Sequence, residues 1–129
     1  MTCVLVADDA PNVRQLLCVI LAPQYTVIEA RDGTEALALL LEHQPPLAIL
    51  DVSMPGQSGL DVCRALRSDP RTQATGVLVI TANGTPDDQA KALAAGADAF
   101  LAKPFSPAAM LRAVESLKTA RVAASPESH

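Results

Sequence analysis

Along this chain, short and almost wholly apolar runs alternate with longer stretches in which apolar residues recur every three or four positions. The first run, residues 3–7, reads as a strand. Residues 11–21 follow with helical spacing, with Pro11 suited to the first turn. There Val13, Leu16, Leu17 and Ile20 stand at i, i+3, i+4 and i+7 and predict one buried stripe. Arg14, Gln15 and Cys18 fall toward the outer side of that helix. The cycle then repeats. Strands are predicted over 25–30, 47–51, 76–81 and 99–102, and helices over 34–43, 59–68, 86–95 and from 107 onward.

Local chemistry sets the joints between these elements. Pro45-Pro46 stops the second helix. Gly96 is placed to end the fourth in the left-handed conformation. Ser106 can cap the fifth, whose stripe is Met110, Leu111, Val114 and Leu117. The second helix carries Leu37, Leu39, Leu40 and Leu41, too many for one stripe, so at least one should be partly exposed. The third strand is an unbroken apolar run of the kind buried on both faces.

Five βα units without an internal repeat predict an α/β fold, a three-layer sandwich around a parallel sheet with right-handed crossovers. Strand order 2-1-3-4-5 fits best, because the second strand carries no reactive group at its end and belongs at the sheet edge. A single domain is expected over 1–119. From about Ala120 the small and polar residues, with Pro126, predict a flexible tail or linker stub over 120–129.

Half the residues are hydrophobic, yet only Tyr25, Phe100 and Phe105 are aromatic, so the core is aliphatic. Ten Lys and Arg against 14 Asp and Glu give a net charge of −4. With no basic cluster, direct nucleic-acid binding is not expected, since that affinity comes largely from phosphate neutralisation. Cys3, Cys18 and Cys63 form no CxxC pair and read as thiols of a reducing compartment. No secretory signal and no stretch long enough to span a bilayer is seen, so the expected location is the cytoplasm, without membrane insertion.

The chemistry lies where the strands stop. Asp8 and Asp9 follow the first strand, Asp51 ends the third, Thr81 ends the fourth, and Lys103 follows the fifth. In an open parallel sheet these carboxyl ends meet in one crevice. Each residue has a bland explanation alone: Asp8 or Asp9 as a helix cap, Asp51 as a turn former, Thr81 as a cap, Lys103 as a surface cation. Together they make a metal and phosphoryl site. Mg²⁺ takes oxygen ligands and keeps several waters. Asp9 and Asp51 can supply carboxylates, a main-chain carbonyl just after Asp51, at Ser53, can supply a third oxygen, and Asp8 can act directly or through water. One carboxylate must attack phosphorus, and Asp51 on the central strand is the candidate. Lys103 and a metal would hold the clustered acids ionised, while Thr81 can donate to a phosphoryl oxygen.

At these residues the sequence resembles the receiver domains of two-component response regulators, chemotaxis regulators among them. The resemblance rests on Ala7-Asp8-Asp9, on the stretch 49–56 with Ser58-Gly59-Leu60-Asp61, on Thr81-Ala82 and on Lys103-Pro104-Phe105. It covers about residues 3–118 and implies the flavodoxin-like (βα)5 fold. It further implies phosphoryl transfer to Asp51, with Mg²⁺, from a sensor histidine kinase or a histidine phosphotransfer protein. Asp8 and Asp9 match the family's acidic pair, Thr81 its switch hydroxyl and Lys103 its lysine, and a cis Lys103-Pro104 peptide is implied. Phosphorylation would draw Thr81 inward, let Phe100 follow, and reshape the surface of helix four, strand five and helix five for a downstream effector. Phe100 stands where many receivers have a switch tyrosine. Ala113 stands where DNA-binding regulators tend to carry an interfacial arginine, which leaves at most a weak homodimer. Ser53 and Asn83, two residues beyond Asp51 and Thr81, should flank the path of an attacking water, and neither carries a charge that could accept a proton. A moderately slow dephosphorylation is expected.

Two rivals compete. A haloacid-dehalogenase-type phosphatase would want a second Asp two residues after the nucleophile, where this chain has Ser53. A receiver-like interaction module not controlled by phosphorylation would have no need of a complete site. The expected activity is therefore that of a phosphoacceptor acting on itself, with no separate substrate turned over.

Overall fold

Every predicted strand and helix forms. A computed structural model describes residues 2–124. In chain order it contains β1 (Thr2–Ala7), α1 (Pro11–Leu21), β2 (Tyr25–Ala30), α2 (Gly33–His43), β3 (Leu47–Asp51), α3 (Gly59–Ser68), β4 (Gly76–Thr81), α4 (Pro86–Ala94), β5 (Ala99–Ala102) and α5 (Pro107–Ala124). The sheet is parallel throughout, in the order β2-β1-β3-β4-β5.

Because successive strand residues point to opposite faces, the sheet feeds two cores. Val4, Val6, Ile49, Leu78 and Ile80 pack with Leu17, Ile20 and Leu21 of α1 and with Met110, Val114 and Leu117 of α5. Leu5, Leu50, Val77 and Val79 face the other way, onto Leu40 of α2, Val62 and Leu66 of α3 and Ala92 of α4. β3 and β4 are buried along their whole length, as inner strands of a parallel sheet must be. In α2 only Leu40 of the four leucines is fully buried.

Three details depart from the sequence reading. The first concerns α1, where Leu16 is 45% exposed and the inward face is Val13, Leu17, Ile20 and Leu21. With 3.6 residues per turn, Leu16 sits roughly 100° from Leu17 on one flank, and Arg14 only about 60° from it on the other. Arg14 is accordingly drawn inward, its side chain 14% exposed. The second is the start of α2 at Gly33, set by Asp32, whose carboxylate accepts from the Glu35 N–H at 2.8 Å. The third is α5, which runs to Ala124, so residues 120–124 continue the helix instead of beginning a tail. The rest of the expected tail, 125–129, lies outside the described residues.

The amino ends of β4 and β5 are tied by one side chain. Arg67, near the end of α3, donates from Nε to the Gly96 carbonyl (2.9 Å) and from Nη1 to the Thr75 and Gln73 carbonyls (2.6 and 3.1 Å). Its Nη2 meets Asp98 at 2.8 Å, and Asp98 in turn accepts from the Val77 N–H. Gly96 adopts φ +102°, in the left-handed region expected of it.

Candidate functional site

The opposite edge of the sheet carries the reactive groups. β1 delivers Asp8, which is fully buried and whose N–H still donates to the Ala30 carbonyl of β2 (3.2 Å). Neither Asp8 nor Asp9 caps α1: Ala10 holds the cap position, and Asp8 Oδ1 accepts from the Ala10 N–H at 2.9 Å. β3 delivers Asp51, 3% exposed, whose Oδ1 accepts from the Ser53 N–H at 3.3 Å. The loop after β5 brings Lys103, whose Nζ lies 3.2 Å from Asp51 Oδ2 and 3.3 Å from Asp8 Oδ2. The Lys103-Pro104 peptide is cis, as the resemblance implies.

Ligand oxygens of Asp8, Asp9 and Asp51 all lie within 4.8 Å of one another. Two of these carboxylates are buried, and a single ammonium serves both. Burial raises the pKa of Asp51, and the charge of Asp8 raises it further, while Lys103 and the Ser53 N–H pull it back. Desolvation acts to lower the pKa of Lys103, but the attraction of Asp51 and Asp8 prevails and the net direction is upward. Asp8 Oδ2 is buried and accepts no hydrogen bond; only the charge of Lys103 answers it. A buried, under-coordinated carboxylate oxygen beside two further acids fits a hard divalent cation such as Mg²⁺, which takes oxygen donors and carries its own waters.

The remaining candidates surround this centre. Thr81 ends β4, 5% exposed, and its hydroxyl donates to Asp88 Oδ2 of α4 at 3.4 Å. Phe100 is half-buried against the core shared with α3 and α4. The side chains of Ser53 and Asn83 are exposed. In these respects the edge brings together what the strand ends predict.

The chain's likeness to known proteins follows the same residues. The response regulator receiver domain matches residues 4–115. The chain belongs to that family. It is 38% identical over 117 residues to the transcriptional regulatory protein ResD of Bacillus subtilis, covering 90% of this chain and 48% of that protein. It is 41% identical over 115 residues to the response regulator PleD of Caulobacter vibrioides, covering 88% of this chain and 25% of that one. The chain therefore spans about half or less of these curated relatives. Among solved structures, the chemotaxis protein CheY4 of Vibrio cholerae superposes with a TM-score of 0.86 at 32% identity, covering 91% of this chain and 98% of that one. The chain is thus a receiver domain of the kind that two-component response regulators carry.

Sequence reasoning missed three residues of the receiver's site. Arg14, assigned to the outer side of α1, donates from Nη1 to the Asp8 carbonyl at 2.8 Å and faces Glu29 at 3.4 Å. Asp88 reads in the sequence as an ordinary first-turn acid of α4 and gives no sign that it accepts from Thr81. Gly59 opens α3 so close to Asp51 that an added Cβ would collide with the Asp51 carbonyl oxygen. Gly59 entered the sequence reading only within the Ser58-Gly59-Leu60-Asp61 motif, which gave no sign of its approach to Asp51.

Among the described residues, no helix is long and apolar enough to cross a membrane.

Proposed function

We propose that Asp51 takes a phosphoryl group from the phosphohistidine of a sensor histidine kinase or histidine phosphotransfer protein. The observation that carries this reading is Asp51 itself: a nearly buried carboxylate at the end of the central strand, met by Lys103 and flanked by Asp8 and Asp9. A carboxylate oxygen attacks phosphorus, the phosphorus–nitrogen bond breaks, and the imidazole keeps the bonding pair. Asp8, Asp9, Asp51 and the main chain at Ser53 would hold Mg²⁺, which would supply charge neutralisation for the transferring group. Lys103 stays protonated and pairs with a phosphoryl oxygen. The Thr81 hydroxyl leaves Asp88 and donates to another. The domain in this way assists its own phosphorylation and dephosphorylation.

The switch follows from charge. Once Thr81 turns toward the phosphoryl group, α4 loses a tether at its first turn and Phe100 gains room, which alters the face presented to a downstream effector. The donor protein reaches Asp51 across α1 and the loop after β5, where Val13, Leu16, Pro104 and Phe105 line an apolar hollow of about 230 Å³. This reading places the domain in the cytoplasm. Intact mass after incubation with acetyl phosphate and Mg²⁺ tests it: wild type should gain one base-labile phosphoryl group and Asp51→Asn none. Undiminished labelling of the variant would move the acceptor elsewhere.

A further inference from the structure

We infer that Arg14 is a positioning residue of the acidic site, holding the Asp8 carbonyl so that Asp9 is presented to the cation. The inference rests on the Mg²⁺ site proposed above and adds to it a residue outside the ligand set. The peptide joining Asp8 to Asp9 is a rigid plane, so a grip on its oxygen fixes the nitrogen and Cα of Asp9 as well. Arg14 supplies that grip from one turn inside α1, at 2.8 Å and with its side chain 14% exposed. The Asp8 N–H is held by the Ala30 carbonyl and Asp8 Oδ2 faces Lys103, but among the hydrogen bonds found at this turn only that of Arg14 reaches the Asp8 carbonyl. The cap residue Ala10 has no side-chain bond to offer, and Asp8 Oδ1 reaches only the Ala10 N–H. Asp9 itself is exposed. Glu29 of β2 lies 3.4 Å from Arg14 Nε and balances its charge, but Nε makes no hydrogen bond, so the grip on Asp8 comes from Nη1.

Position and charge predict opposite signs. Deleting a cation beside three carboxylates would by itself tighten binding of a metal ion, whereas loosening the Asp8-Asp9 peptide weakens it. The test titrates the full chain with Mn²⁺, following the free ion by electron paramagnetic resonance. Arg14→Ala should bind about tenfold more weakly, in the range found when groups supporting metal ligands are removed. Arg14→Lys, which keeps one donor and the charge, should recover most of that loss. Glu29→Gln should stay close to wild type. The same shift should appear in the half-saturating Mg²⁺ for labelling by acetyl phosphate. Raising Mg²⁺ should restore labelling by Arg14→Ala, a rescue that general loss of structure would not allow. Should Arg14→Ala not fold, Arg14→Gln carries the same comparison. Binding by the neutral variants equal to or tighter than wild type overturns the role of Arg14 alone. Wild type that takes up no Mn²⁺ overturns the metal site and the inference together.

Discussion

Replacing Lys103 by Met removes the one ammonium that answers two buried carboxylates. The contacts are 3.2 Å to Asp51 and 3.3 Å to Asp8, and the two acids have oxygens within 4.8 Å of each other. At an effective dielectric near 20, each contact is a gross attraction of about 5 kcal/mol and the repulsion between the acids about 3 kcal/mol. Desolvation of the ammonium offsets much of the attraction, and the lysine side chain is 28% exposed, so the net loss falls at the low end for a broken buried pair, about 3 kcal/mol. The sign with pH is fixed by Asp51, whose folded pKa is already raised and rises further without the cation. Such a group contributes stability that is complete below its unfolded value and lost as pH climbs through the folded one. The deficit of Lys103→Met should therefore be largest near neutral pH and shrink as pH falls toward about 4. Urea unfolding followed by circular dichroism, without divalent ions, measures it at several pH values. Adding Asp51→Asn to Lys103→Met should recover much of the loss, giving a coupling energy by double-mutant cycle. A deficit that is absent at pH 7, or that grows on acidification, would refute the electrostatic account.

Asp88→Ala frees the Thr81 hydroxyl in the resting state; loss of that bond, about 1 kcal/mol, should speed labelling by acetyl phosphate roughly fivefold, and an unchanged rate would show that the contact does not restrain the switch. Gly59→Ala sets a methyl against the Asp51 carbonyl and should cost about 1–3 kcal/mol in urea unfolding while slowing phosphoryl uptake, whereas wild-type stability would mean that the loop yields freely. Asn83→Glu places a proton acceptor in the loop after Thr81 and should shorten the phosphoryl lifetime at fixed Mg²⁺; a longer lifetime, or wild-type hydrolysis within seconds, would contradict the proposed water path.

The strands and their reactive ends were legible because burial on both faces forces unbroken apolar runs, and a charged residue ending such a run has few places to go. Asp8, Asp51 and Lys103 announced themselves that way, and Thr81 as a hydroxyl ending a like run. Arg14 did not. A long side chain can stand on the flank of a helix and still reach inward, and residue spacing alone gives its direction only to within a quarter turn. The same coarseness put Leu16 in the buried stripe and left out Leu21. Asp88 was hidden for another reason: its partner lies on a different element, and a first-turn acid already has a local role at the helix terminus. The end of α5 was missed because small residues suggested fraying, although alanine is the strongest helix former and residues 120–124 include three of them.

The Arg67 clamp gives α4 two unlike ends. Its carboxyl end runs into Gly96, whose carbonyl is bolted to α3 and, through the same guanidinium, to the approach of β4 and to Asp98 before β5. Its amino end is secured to the sheet through Thr81 and Asp88 by a bond at the long limit of such contacts. A force applied at the phosphoryl site would therefore meet a lever whose fulcrum lies about two turns beyond Asp88. On the proposed switch, displacement would be greatest beside Thr81 and would die out toward Gly96, grading the signal along the helix instead of shifting it as a whole.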